Sequence, residues 1–135
     1  MNLFAYGTLM DFDTLVEVSG CRPCRKPATL NGYSRHPVRN EVYPALVENT
    51  KSRVTGVLYL DLPESAWMFL DRFEGKMYRR VSVTVQDCNN IAEPAETYLC
   101  RPEFRHLLEN SAWSFEDFLQ SGGKEIFANE SRGFR

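Results

Sequence analysis

Apolar and polar positions alternate along this chain with a period that changes several times. Asn2 to Tyr6 is a short apolar run that stops at Gly7, which reads as a strand closed by a turn. Leu9, Phe12, Leu15 and Val16 then recur at helical steps, predicting a helix over Asp11 to Val18 that Ser19-Gly20 ends. "CRPCRKP", Cys21 to Pro27, reads as a loop. "ATLNGYSRH", Ala28 to His36, reads as a strand in which Asn31-Gly32 is either a turn or a bulge. "VYPALVEN", Val42 to Asn49, is a separate extended stretch, and Pro44 points to an edge or irregular position.

The middle of the chain is more regular. In "RVTGVLYLDL", Arg53 to Leu62, one face carries Val54, Leu58, Leu60 and Leu62 and the other Val57 and Tyr59. Apolar residues on both faces predict a strand inside a closed or covered sheet. "LPESAWMFLDRFEG" predicts a helix that Pro63 opens and Gly75 closes, with Glu64 in its first turn. Ala66, Phe69, Leu70 and Phe73 form its apolar stripe, flanked by Trp67. "YRRVSVTVQ" alternates cleanly, with Val81, Val83 and Val85 on one face, and "AETYLC" is a shorter strand. From Pro102 the pattern turns helical, most strongly in "WSFEDFLQSGG", and "NESRGFR" reads as a tail. The sum is one α+β domain over residues 1–128, a small, mostly antiparallel β-barrel with flanking helices, followed by a tail over 129–135.

Composition narrows the class. At 135 residues the chain suits a single domain, and 43% hydrophobic with 25% charged residues is ordinary for a globular protein. A formal net charge of −2 gives no electrostatic case for a nucleic-acid partner. No apolar run approaches the ~20 residues that span a bilayer, and the start lacks the pattern of a signal peptide. A cytoplasmic protein without a membrane partner is therefore expected; nothing in the pattern specifies an oligomeric state. The four cysteines are Cys21, Cys24, Cys88 and Cys100. Cys21 and Cys24 make one C-x-x-C without a second close pair, and His36 and His106 stand alone. This predicts ordinary thiols and neither a metal site nor a cofactor.

Two stretches could carry chemistry. In "YGTL", Tyr6 to Leu9, a strand ends in a glycine-containing turn, which exposes successive backbone N–H groups. Gly7 would allow either a positive φ or the close approach of a ligand to the backbone. Such a concavity suits a carboxylate or a developing oxyanion; the alternative is a plain strand-to-helix turn. In "LDRFEGKMYRR", Glu74 ends an apolar helix beside Phe73 and Met77. Apolar surroundings and the negative helix end favour the neutral carboxyl and raise its pKa, as a general base working near neutrality requires. The alternative is an exposed glutamate paired with Lys76, Arg79 or Arg80. Asp71 lies one turn earlier on a similar face of the helix.

"FAYGTL", "YPAL", "VTGVLYLDL", "LDRFEGKMYRR" and "AETYL" occur in this order between Leu3 and Leu99. In this the chain resembles the gamma-glutamylcyclotransferase-like family, most closely its gamma-glutamylamine cyclotransferase branch. The resemblance implies a small barrel with a cavity at one mouth. It implies a Tyr6–Gly7–Thr8–Leu9 loop that binds the glutamyl part of a small-molecule substrate through its backbone, and Glu74 as general acid/base. Tyr78 and Arg80 match the family's Y-x-R and are carried over as substrate-binding positions; Tyr78 would line the cavity, and Arg80 has a structural alternative.

The reaction so implied releases an amine from a gamma-glutamyl amide and forms 5-oxoproline. The substrate's own α-amino group attacks its γ-carbonyl, so no metal or cofactor is needed. Glu74→Gln is expected to keep the fold and lose turnover. The amine half is unspecified by any motif; the C-terminal helices and the Gly32 to Tyr43 segment are expected to shape that side. Two other classes fit the same sequence. One is a non-catalytic binding protein for an amino-acid-like metabolite. The other is an interaction protein using its 13% aromatic residues, with Trp113 and Phe115 at an interface.

Overall fold

In the computed structural model residues 1–125 are described. The expected tail over 129–135 and the domain end at 128 lie outside them. The elements run β1 (Leu3–Ala5), α1 (Phe12–Ser19), β2 (Arg25–Pro37), β3 (Pro44–Tyr59), α2 (Glu64–Glu74), β4 (Tyr78–Asp87), β5 (Ala92–Cys100) and α3 (Phe115–Gln120). Short 3-10 turns cover Thr8–Met10 and Pro102–Leu107.

The strands close into a barrel in the order β1-β3-β2-β4-β5. Every pairing is antiparallel except β1 with β5, which is parallel at Leu3 and Glu96. β1 is only three residues long, yet it joins the sheet's two sides. Its seam with β5 is reinforced by side chains: the Thr97 hydroxyl donates to the Phe4 carbonyl at 2.8 Å, and the Tyr6 hydroxyl to the Tyr98 carbonyl at 2.6 Å. Both bonds are buried, where an unpaired carbonyl would be costly.

Alternation sorts the strand residues into two cores. Phe4, Leu30, Leu46, Leu58, Val85 and Leu99, drawn from all five strands, fill the barrel. Leu3, Ala45, Tyr59, Tyr98 and Cys100 lie on the opposite face, against Leu15 of α1 and Trp67 and Leu70 of α2. Both faces of β3 are thus covered, as its composition predicts.

Two element boundaries differ from expectation, and Asn31-Gly32 takes one of its two expected forms. β2 starts at Arg25, inside the stretch read as a loop, because Arg25 to Asn31 pair continuously with β3. The two extended stretches around Asn49 are one strand of 16 residues, which starts at Pro44. Exposed polar residues at its centre hide that continuity. Asn31-Gly32 is a bulge: the β2–β3 register shifts between Asn31 and Tyr33, and Gly32 has φ +87°. A third difference concerns side chains. On α2, Ala66, Trp67 and Leu70 are buried whereas Phe69 is exposed, so the packed stripe is narrower than its apolar pattern.

Candidate active site

The loop after β1 is held by its carbonyls. Tyr6 O accepts from Arg35 Nη1 at 2.7 Å, Gly7 O from the Met10 amide at 2.9 Å and Thr8 O from the Asp11 amide at 3.2 Å. Leu9 O accepts from the Tyr59 hydroxyl at 2.6 Å. The amides of Gly7, Thr8 and Leu9 have no intramolecular acceptor among the described residues. Thr8 and Leu9 open the 3-10 turn, and the first N–H groups of a helical turn lack partners within it. At the turn's end Asp11 caps α1, its carboxylate accepting from the Thr14 amide at 3.1 Å.

Gly7 does not take the positive φ that glycine permits; its φ is −128°. Close approach is the reason for a glycine here. A Cβ on Gly7 would sit 2.9 Å from Cγ and Cδ of Pro44. The glycine of "YGTL" and the proline of "YPAL" therefore specify one another in space.

A cavity of about 410 Å³ opens beside this loop. Its walls are the loop residues Tyr6, Gly7, Thr8 and Leu9, then Glu41, Tyr43 and Pro44 ahead of and at the start of β3. Phe73, Glu74, Met77 and Tyr78, from the end of α2 to the start of β4, and Tyr98 of β5 complete them. Its size suits a small molecule.

Glu74 is the last residue of α2, and Gly75, with φ +76°, turns the chain away immediately after it. Phe73 and Met77 share the cavity wall with it. Burial pushes the Glu74 carboxyl up to about 8, and the neighbouring Asp71 carboxylate adds to the rise. Glu74 keeps a little accessible surface and is within the cavity wall, so it remains reachable. Among the described residues no lysine or arginine forms an ion pair with it; Arg80 pairs instead with Asp71 and Glu96, each at 3.7 Å.

The structure brings together six of the seven residues singled out in the sequence: Tyr6, Gly7, Thr8, Leu9, Glu74 and Tyr78 all line the one cavity. Tyr78 is buried, its hydroxyl donates to the Pro44 carbonyl at 2.8 Å, and burial raises its pKa well above the usual range. Tyr6 is likewise raised, by burial first and then by Glu74. Both phenols stay neutral and act as walls. Arg80 is the one that the structure does not bring to the cavity. It is exposed, lies outside the cavity, and its guanidinium stacks 4.8 Å from the Trp67 ring. On an alternating strand Arg80 does share a face with Tyr78, but Asp71 and Glu96 draw its long side chain away.

Sequence reasoning did not single out Tyr98, Tyr43 or Glu41 individually. Tyr98 lines the cavity and its hydroxyl donates to Asp71 Oδ1 at 2.7 Å, linking the cavity to the carboxylate behind Glu74. Tyr43 and Tyr98 sit inside "YPAL" and "AETYL", so the motifs held the signal. Glu41 and Tyr43 belong to the segment expected to shape the amine side; no residue of the described C-terminal part joins them. Cys21 is half-buried and Cys24 exposed, both as free thiols, and among the described residues no cluster of three His, Cys, Asp or Glu side chains could hold a metal.

A cavity with an elevated carboxyl on one wall and unpaired amides on another can move protons and stabilise a developing oxyanion. Comparisons with known proteins place the chain in a family. A family described as gamma-glutamyl cyclotransferase, AIG2-like, matches residues 3–115. AIG2-like protein A of Arabidopsis thaliana is 30% identical over 99 residues, 73% of this chain and 60% of that protein. The chain thus spans well under two thirds of that relative's length. Another Arabidopsis thaliana protein, solved in solution, is 25% identical and superposes with a TM-score of 0.70, covering 97% of this chain and 88% of its own. A yeast gamma-glutamyl cyclotransferase specific to glutathione shares the fold at a TM-score of 0.63 and 12% identity, over 83% of this chain and 73% of its own. With the family match extending from β1 into α3, and the cavity residues all within it, the chain belongs to the gamma-glutamyl cyclotransferase, AIG2-like family.

Proposed function

We propose that the protein is a gamma-glutamyl cyclotransferase that releases an amine from a gamma-glutamyl amide and forms 5-oxoproline. The observation that carries this reading is the shared cavity. Glu74, with its carboxyl raised to about 8, and the Gly7–Leu9 loop, whose amides have no acceptor among the described residues, line the same space.

The substrate's α-nitrogen forms a bond to its own γ-carbonyl carbon, and the bond from that carbon to the amine nitrogen breaks. Intramolecular attack of this kind reaches effective molarities on the order of 10⁵–10⁸ M, so the protein has few tasks. Across the reaction the α-ammonium loses two protons and the departing nitrogen gains two. Ionised Glu74 takes each proton from the first nitrogen and returns it to the second, ending as it began. The loop amides hold the glutamyl carboxylate, the oxyanion of the tetrahedral adduct, or both.

The test is release of 5-oxoproline from a panel of gamma-glutamyl amines and dipeptides by wild type and Glu74→Gln. Release from the amines that disappears in a folded Glu74→Gln variant is expected. Tight calorimetric binding of 5-oxoproline without turnover of any amide would instead make the protein a binding module. Release unchanged by Glu74→Gln would remove Glu74 from the mechanism.

A further inference from the structure

We infer that Arg35 is the positioning residue that turns the Gly7 amide into the cavity. Arg35 lies on β2, beyond the Gly32 bulge, and is not part of the cavity wall. Its Nη1 donates to two carbonyls, Tyr6 O at 2.7 Å and Thr55 O at 3.1 Å. The planar trans peptide between Tyr6 and Gly7 fixes the consequence: its C=O and N–H point in opposite directions. Holding the Tyr6 carbonyl toward Arg35, behind the loop, aims the Gly7 N–H the other way.

The second bond removes the competing arrangement. β1 pairs with β3 in a register that places Leu3, Phe4 and Ala5 opposite Tyr59, Leu58 and Val57. Continued by two residues, the same register sets Gly7 opposite Thr55. The ladder stops at Ala5, and Arg35 supplies the Thr55 carbonyl with a donor in place of a strand amide. The Gly7 amide is thereby released from the sheet at the point where the cavity needs a donor.

Arg35 is itself held. Its guanidinium lies 5.4 Å from the Trp113 ring centre, and Trp113 Nε1 donates to the Val42 carbonyl at 2.9 Å. A planar guanidinium suits this double role, because it stacks on a ring while donating in its own plane.

The catalytic part of this inference rests on the proposed cyclotransferase reading, and the test separates the two. Arg35→Met keeps the stem and removes the donor. In the folded variant the Gly7 N–H residual dipolar coupling is expected to change, reporting a turned peptide or a strand-like bond to Thr55. The kcat for 5-oxoproline release is expected to fall on the order of 10²-fold, the usual effect of losing one oxyanion donor, with KM changed less than about threefold. Arg35→Lys, which keeps a charged donor, is expected to recover part of both. An unmoved Gly7 coupling in folded Arg35→Met, or wild-type kcat there, overturns the inference. If Arg35→Met does not fold, Arg35→Lys decides by the same two readouts, a wild-type coupling together with wild-type kcat counting against. If wild type turns over no gamma-glutamyl amide, the proposed function fails, and the coupling still decides whether Arg35 sets the direction of the amide.

Discussion

Replacing Glu74 by glutamine isolates what it takes to hold a carboxyl in this cavity, and the effect should appear in stability as well as in turnover. Burial and Asp71 move the Glu74 carboxyl from an ordinary value of 4.5 up to about 8. At about 1.4 kcal/mol per pH unit, the full displacement corresponds to roughly 5 kcal/mol in favour of the neutral form. Solvent reaching the carboxyl through the cavity reduces this, and about 2–4 kcal/mol is a fair expectation for the measured effect. The sign follows from proton counting. Between about pH 4.5 and about pH 8 the folded protein keeps a proton on Glu74 that the unfolded chain has released. Stability from this group is therefore fully present below the lower value, declines as pH rises, and is gone above the upper one. Glutamine is neutral throughout and escapes the decline. Urea unfolding of both proteins, from about pH 5 to about pH 9, should show Glu74→Gln gaining about 2–4 kcal/mol relative to wild type across the range. A difference that stays constant with pH would show that Glu74 titrates normally, and the argument from burial would fail with it.

Other outcomes follow from single contacts. Gly7→Ala should lose about 1–3 kcal/mol of stability by denaturant unfolding and most of the turnover, because the new methyl meets the Pro44 ring; Pro44→Ala in the same chain should return part of the stability. The kcat/KM for amide cyclisation should rise with pH through about 8, since Glu74 must be ionised to accept a proton, and Asp71→Asn should move that limb to lower pH by removing the second cause of the elevation. Tyr59→Phe should cost about 1–3 kcal/mol in thermal or denaturant unfolding, because the buried Leu9 carbonyl loses its hydroxyl donor.

Much of the framework follows from local rules that a sequence displays. α2 starts after Pro63 and stops at Gly75 because proline fixes φ and glycine accepts the positive φ of +76° that ends the helix. Val81, Val83 and Val85 share a face because strand side chains alternate. An apolar β3 covered on both sides, a carboxyl between Phe73 and Met77, and a strand that breaks at Gly7 were all legible for the same reason: each depends on near neighbours in the chain. The family resemblance added the pairing of the Gly7 loop with Glu74, which spacing alone does not give.

Contacts between distant segments decided the rest. Gly7 is a glycine because of Pro44, thirty-seven positions away, and not because of its own φ. Arg80 leaves the cavity because Asp71 and Glu96 offer ion pairs that only the closed barrel brings within reach. Arg35 meets the Tyr6 carbonyl because β2 and β1 flank β3, an adjacency that no local pattern encodes. The sequence by itself determined most of the strand and helix segments and set Glu74 between Phe73 and Met77, since propensity and periodicity act over a few residues; whether that carboxyl is buried was left to the fold. Only the tertiary structure decided which backbone groups are left without partners and which cavity they face, because closing the barrel determines where each chain segment finds its hydrogen bonds.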